Sequence, residues 1–218
     1  VTLDGKTSGR YGIPRMIVRT PLVAPGQRIG LLGGSFNPAH EGHLLISRIA
    51  HRQLGLDQVW WLVSPGNPLK SHDDLPSVAD RISTAHALGL PPWLKLTAFE
   101  EDLGTSYTAA TLRFLTQRYR DVDFVWIMGA DNLATFHRWH DWRGIAETLP
   151  LVIANRPGHR FRAVAGPAAR TLEARRVAAA RIRGLPARKA PAWGFIQGPL
   201  STTSSTDIRR KTHDFTKT

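Results

Sequence analysis

The chain has 218 residues, no cysteine, 42% hydrophobic and 21% charged residues, which excludes disulfide scaffolds, thiolate nucleophiles and cysteine zinc sites and argues against extensive disorder. Lys and Arg number 29 against 17 Asp and Glu, a formal charge of +12, so polyanionic partners are favoured: nucleic acid, an anionic membrane surface or phosphate-rich small molecules. No apolar run approaches the ~18 residues of a membrane span and no apolar leader is visible, so a soluble, cytoplasmic protein is expected.

Residues 1–28 scatter Gly5, Gly9, Gly12, Pro14, Pro21, Pro25 and Gly26 among basic residues. They hold no helical or strand period, and a flexible arm is expected, with one short extended piece at Met16, Ile17 and Val18. From residue 29 the pattern changes. Apolar runs at 29–32, 59–63, 94–99, 124–128 and 151–154 alternate with helical patterns at 41–54, 78–88, 107–119, 132–136 and 139–147. Strands that read as continuous apolar runs are buried on both faces, and strand–helix alternation builds a parallel sheet covered on both sides. The class is α/β. Residues 156–191 are Ala- and Arg-rich. Pro167 is suited to a first helical turn, so a helix over 167–183 is expected, within an Arg-rich insertion or lobe over 159–190. A last strand is expected over 193–196. Ser204, Ser205, Thr206 and Asp207 read as the cap of a short terminal helix, and 211–218 as a tail.

The most informative stretch is Gly33-Gly34-Ser35-Phe36-Asn37-Pro38-Ala39-His40-Glu41-Gly42-His43. Glycines after a strand allow close backbone approach of a phosphate, and a helix start offers unpaired N–H groups and a positive dipole end. His40 and His43, three apart, share one side of the first helical turn. A tight turn and a surface His pair are the plain alternative. The pair lacks a third ligand for a tetrahedral zinc site. The stretch is neither a Walker loop nor the spaced three-glycine dinucleotide fingerprint.

The whole string resembles the Gly-Gly-(Ser/Thr)-Phe-(Asp/Asn)-Pro-x-His-x-Gly-His signature of the nucleotidylyltransferase superfamily. Ser204-Ser205-Thr206-Asp207-Ile208-Arg209 looks like its Ser-Ser-Thr-x-(Ile/Val)-Arg motif. The resemblance implies a Rossmann-like, doubly wound parallel sheet with a small C-terminal helical lobe, over a domain at 29–210. Four further segments narrow the likeness: Pro65-Gly66-Asn67-Pro68-Leu69-Lys70, Ser106-Tyr107-Thr108, Gly129-Ala130-Asp131-Asn132 with Trp139, and Asn155-Arg156-Pro157-Gly158. Together these resemble bacterial nicotinate mononucleotide adenylyltransferases. Those enzymes move AMP from ATP to nicotinate mononucleotide in NAD biosynthesis, releasing pyrophosphate.

The resemblance implies roles residue by residue. Gly33, Gly34, Ser35 and Phe36 would approach ATP through the backbone. His40 and His43 would hold its phosphates, with His43 carrying most of the catalysis. Ser204, Ser205, Thr206 and Arg209 would take the departing β- and γ-phosphates, Arg209 acting catalytically. Asp131 would bind the adenosine ribose and Arg156 lie beside adenine. Asn37, Lys70, Thr108 and Trp139 would bind nicotinate mononucleotide: Thr108 through backbone N–H to the carboxylate, Trp139 by stacking, Lys70 at the phosphate. Mg²⁺ would arrive on triphosphate oxygens, with no metal site of the chain's own. Trp60, Trp61 and Trp126 read as core. Phosphopantetheine adenylyltransferases share the first motif but do not explain Trp139 or Arg156-Pro157-Gly158, and cytidylyltransferases usually end in a different Arg motif. A basic RNA-binding module is the non-enzyme alternative, with nucleic acid the less expected partner. The oligomeric state stays open.

Overall fold

Short apolar runs become six strands: β1 (Arg28–Gly34), β2 (Gln58–Val63), β3 (Leu94–Thr97), β4 (Asp123–Gly129), β5 (Leu151–Ala154) and β6 (Trp193–Ile196). The computed structural model describes residues 18–66, 75–155 and 160–198. All five strand pairings are parallel, in the order β3-β2-β1-β4-β5-β6. This is the strand order of a doubly wound sheet, and it reverses direction between β1 and β4. The Rossmann-like expectation holds.

Side chains alternate across the sheet and divide the interior into two cores. Ile29, Leu31, Trp60, Leu62, Phe124 and Trp126 face one side. Leu32, Val59, Trp61, Val63, Val125 and Ile127 face the other. Trp60, Trp61 and Trp126 are buried, as their apolar context predicts.

The second face is covered by α1 (Glu41–Leu54) and α2 (Val78–His86). Gly55, at φ +62, stops α1 and returns its N–H to the His51 carbonyl; glycine enters that left-handed conformation without penalty. The first face takes α3 (Phe99–Asp102), α4 (Thr108–Arg118), α5 (Ala130–Thr135), α6 (Trp142–Thr148), α7 (Arg160–Ala165) and α8 (Pro167–Thr171). The strand expected over 94–99 ends at Thr97. Phe99 turns instead into the first core, beside Phe114, and begins α3.

The single helix expected over 167–183 is broken. Pro167 does open α8, but only 3-10 turns follow, at Glu173–Arg175 and Ala179–Gly184. The reason is tertiary. Ala168, Ala169 and Leu172 bury in the first core, whereas Val177, Ile182 and Leu185 bury in the second. To reach both, the chain must round the sheet's β6 edge. There Trp193 Nε1 donates to the Leu172 carbonyl at 2.8 Å, and Val177 N–H donates to the Trp193 carbonyl at 2.7 Å.

Of the stretch expected as an arm, Val18, Thr20 and Gly26 are tied to the domain. Val18 is buried in the first core, Thr20 and Tyr119 share a hydroxyl hydrogen bond, and Gly26 N–H donates to the Asp121 carbonyl. Met16 and Ile17 lie outside the described residues.

Candidate active site

β1 delivers Gly33 and Gly34 to the carboxyl edge of the sheet, and residues 35–40 lead into α1. β4, hydrogen-bonded to β1, ends at the same edge, and α5 departs from it over the opposite face. Where neighbouring strands send their helices to opposite faces, a crevice opens above the strand ends.

The entry into α1 is built by two imidazoles. His40 is the N-cap, extended at φ −151, and its Nδ1 accepts from Gly42 N–H at 3.1 Å. In return His43 Nδ1 accepts from His40 N–H at 3.3 Å. Histidines thus occupy the positions that Ser or Thr and Glu or Gln take in an ordinary capping box. With both Nδ1 atoms accepting, each neutral ring carries its proton on Nε2, the nitrogen farther from the backbone. The ring centroids lie 3.9 Å apart, and His40 is 4% exposed. The result is a pair of Nε2–H donors at a helix N-terminus, where the dipole favours an anion.

Phe36 fixes the pair from behind. It sits at φ +46, in the left-handed region, which costs a non-glycine residue on the order of 1–3 kcal/mol. That turn buries its ring, which stacks on Trp61 (4.8 Å between centroids, 15°) and meets His43 at 4.9 Å. Trp61 Nε1 donates to Ser47 Oγ at 2.8 Å, and Ser47 Oγ donates to the His43 carbonyl at 2.9 Å. A closed circuit runs from Phe36 through Trp61 and Ser47 back to His43. The two glycines differ in purpose. A Cβ on Gly33 would stand 2.5 Å from a ring carbon of buried Trp126, whereas one on Gly34 would meet the Phe36 ring at an ordinary 3.5 Å. Gly33 is demanded by the core before any ligand approaches.

A second group of expected site residues stands on elements of the first face. Asp131 lies in the first turn of α5, immediately beyond β4. Thr108 opens α4, whose N-cap Tyr107 supplies no side-chain bond to the helix N–H groups. Trp139 follows the 3-10 turn Phe136–Arg138, half-buried and edge-on to Phe136 at 5.5 Å. The Tyr107–His140 ring contact at 4.6 Å joins the α4 start, and an Arg113–Asp141 ion pair at 2.8 Å the middle of α4, to the Trp139 segment. Ser35 and Asn37 lie half-buried in the β1–α1 connection. Lys70, Arg156, Ser204, Ser205, Thr206 and Arg209 lie outside the described residues.

Two polar residues that the sequence left unremarked are buried. Arg81 of α2 is 2% exposed, and its guanidinium donates to the carbonyls of Ser35, Ser64 and Pro76 at 2.6, 2.8 and 2.9 Å. Desolvation pulls its pKa below the ordinary value, opposed by the charge of Glu101. Arg81 stands three residues after Val78 and four before Ala85, on the buried face of α2; that helical spacing is the signal that could have found it. Glu100 of α3 is buried and accepts from Thr111 Oγ1 at 2.7 Å. Burial pushes its carboxyl up to about 6, against a lowering by the Thr111 hydroxyl.

The unfolded Glu100 ionises near 4.5 and the folded one near 6. The folded state therefore holds the extra proton between those values, and stability falls as pH rises through that window. Glu100→Gln is expected to be more stable than the parent by about 2 kcal/mol at about pH 7.5, the gain vanishing below about pH 4.5. Urea unfolding of both proteins across that range checks it. A gain that persists in acid would remove burial of the charge as its cause.

Among the described residues, no three or more His, Asp or Glu side chains gather into a metal cage, and no helix is long and apolar enough to cross a membrane.

The family model described as cytidylyltransferase-like matches residues 31–211. A protein of Rhizobium meliloti (strain 1021) named "Probable nicotinate-nucleotide adenylyltransferase" is 50% identical over 181 residues, 83% of this chain and 96% of its own. One of Agrobacterium fabrum (strain C58 / ATCC 33970) with the same name is 51% identical over 181 residues, 83% of this chain and 97% of its own. Among solved structures, Plasmodium falciparum nicotinic acid mononucleotide adenylyltransferase complexed with NaAD superposes with a TM-score of 0.62 at 15% identity, over 84% of this chain and 83% of that one. At that identity the likeness speaks for the fold.

Proposed function

The chain belongs to the cytidylyltransferase-like family, and from that membership and the geometry of the β1–α1 entry we propose that it is a nicotinate-nucleotide adenylyltransferase. It transfers AMP from ATP to nicotinate mononucleotide, giving nicotinate adenine dinucleotide and pyrophosphate in NAD biosynthesis. The observation that carries the site assignment is the reciprocal His40–His43 cap.

In the reaction a 5′-phosphate oxygen of nicotinate mononucleotide attacks the α-phosphorus of ATP. The new P–O bond forms as the bond from the α-phosphorus to the α,β-bridging oxygen breaks, and pyrophosphate carries away that electron pair. The attacking oxygen is already ionised at neutral pH, so no general base is required. The protein's task is alignment and stabilisation of charge. His40 and His43 donate Nε2–H to the triphosphate, and the α1 N-terminus adds its dipole. Asp131 accepts from the adenosine ribose. The open N–H groups of α4 at Thr108 receive the nicotinate carboxylate, and Trp139 stacks on the pyridine ring. Asn37 lines the acceptor side. Lys70 and Arg156 contribute at the acceptor phosphate and adenine, and Ser204, Ser205, Thr206 and Arg209 at the leaving pyrophosphate. ATP enters as its Mg²⁺ complex; Mg²⁺ retains waters and needs few protein ligands. The reaction's substrates are soluble nucleotides, and the cytoplasm is the compartment we propose.

The deciding experiment incubates the protein with ATP and Mg²⁺ and one acceptor at a time: nicotinate mononucleotide, nicotinamide mononucleotide or 4′-phosphopantetheine. Pyrophosphate release is measured. Turnover is expected with nicotinate mononucleotide and much less with its amide, which lacks the anionic group for the α4 terminus. Equal rates with both mononucleotides would remove the carboxylate assignment, and turnover with phosphopantetheine alone would replace the acceptor.

A further inference from the structure

Arg81 is the buried cation whose hydrogen bonds join separate parts of this edge of the sheet. Its Nη1 donates both to the Ser35 carbonyl, on the connection from β1 to α1, and to the Ser64 carbonyl, just beyond β2. Its Nε donates to the Pro76 carbonyl at the entrance to α2. Burying a guanidinium is expensive unless its donors are satisfied, and a planar fork with fixed N–H directions holds its acceptors in fixed relation. Both carbonyls on Nη1 matter to the site. The Ser35 carbonyl belongs to the peptide unit directly before Phe36, whose φ of +46 aims the ring onto Trp61 and His43. Ser64 also donates its N–H to the Gly34 carbonyl at 3.0 Å, and its Oγ bonds within the turn to Gly66. From there the chain runs into the segment that bears Lys70.

We infer that Arg81 is a positioning residue for adenylyl transfer: its guanidinium locks the peptide before Phe36, and with it the His40–His43 pair, to the start of the segment beyond β2. This rests on the adenylyltransferase reading above. It adds a residue of α2 that touches neither reacting phosphate and sets the geometry of groups that do. The lock explains how an unfavourable left-handed Phe36 persists, because strained residues survive where their surroundings over-determine them.

The test uses the full chain with Arg81→Lys, which keeps a cation but loses the fork, and Arg81→Gln, which keeps donors but loses the charge. Misplacement of aligned groups by about 1 Å costs ~10²-fold in rate, so kcat for pyrophosphate release is expected to fall on the order of 30- to 100-fold in both. KM for ATP should move less, with Lys retaining more activity than Gln. Two readouts do not depend on turnover. In the parent, the guanidinium protons of Arg81 should exchange slowly with solvent by NMR. In the variants, the His43 ring resonances and Trp61 fluorescence should shift. Folded variants with kcat within ~3-fold of the parent would overturn the inference, as would a loss of thermal stability with kcat per folded molecule unchanged. Should neither variant fold, rapid exchange of the Arg81 guanidinium protons in the parent would overturn it, and slow exchange would support it. Failure of the parent to turn over nicotinate mononucleotide while Trp61 and His43 still respond to Arg81→Lys would strike the activity and leave the lock standing.

Discussion

Replacing His43 by alanine is expected to lower kcat for adenylyl transfer by ~10²–10³, the scale of removing one preorganised donor from a transition state. Charge builds on the α-phosphoryl oxygens and the departing bridge as the reaction proceeds. A donor aimed at them therefore acts more strongly in the transition state than in the ground state, and KM for ATP should change less. Alanine also removes the acceptor for His40 N–H, at a cost of about 1 kcal/mol for a lost cap. His43→Gln separates the two effects. Glutamine at the third helical position is a normal capping-box acceptor and should restore stability, but it has no imidazole Nε2–H, and kcat should stay low. Steady-state kinetics alongside thermal unfolding of both variants makes the comparison. A glutamine variant with parental kcat would show that the cap, not the imidazole donor, is what catalysis needs.

Trp61→Ala should give the largest loss of stability of any substitution considered, about 3–5 kcal/mol, the range for emptying a buried aromatic site. The indole is fully buried, stacks on Phe36, lies 5.8 Å from the His43 ring and donates to Ser47. Removing it takes away the surface that holds Phe36 in its left-handed turn and leaves Ser47 Oγ without that donor. Activity should fall beyond what the loss of folded protein explains, because His43 loses its backing. Trp61→Phe keeps an aromatic face for Phe36 and gives up only the indole N–H. It should recover most of the stability and most of kcat. Chemical denaturation and kinetics at saturating substrate test both. An alanine variant destabilised as expected but with full kcat per folded molecule would confine Trp61 to the core.

The strand-to-helix form of the candidate site was legible in the sequence. The eleven residues from Gly33 to His43 announce a strand-to-helix connection of a kind suited to an anion, because glycines, a helix start and a spacing of three each have a direct physical consequence. The spacing cannot tell that both histidines spend Nδ1 on the backbone, and so which nitrogen carries the proton. Gly33 carries the same limit: its lack of a side chain suits phosphate approach, yet Trp126, distant in sequence, is what forbids a Cβ. Glu100 gave no signal, being the first of three consecutive acidic residues on a one-turn helix, whereas Arg81 shares the helical face of Val78 and Ala85. Packing shows that both are buried, and what each one bonds.

By itself the sequence determined the alternation of strands and helices, the apolar runs of a sheet covered on both faces, and the signature at its edge. These are local, set by side-chain periodicity and by what glycine and a helix terminus permit. Tertiary structure alone decided the strand order that places β1 beside β4, and it broke the Ala- and Arg-rich helix so that Leu172 and Val177 could enter opposite cores. It also buried a guanidinium beneath the signature loop. Each of these depends on contacts between residues far apart in the chain, and the free energy of burying them together outweighs local preference.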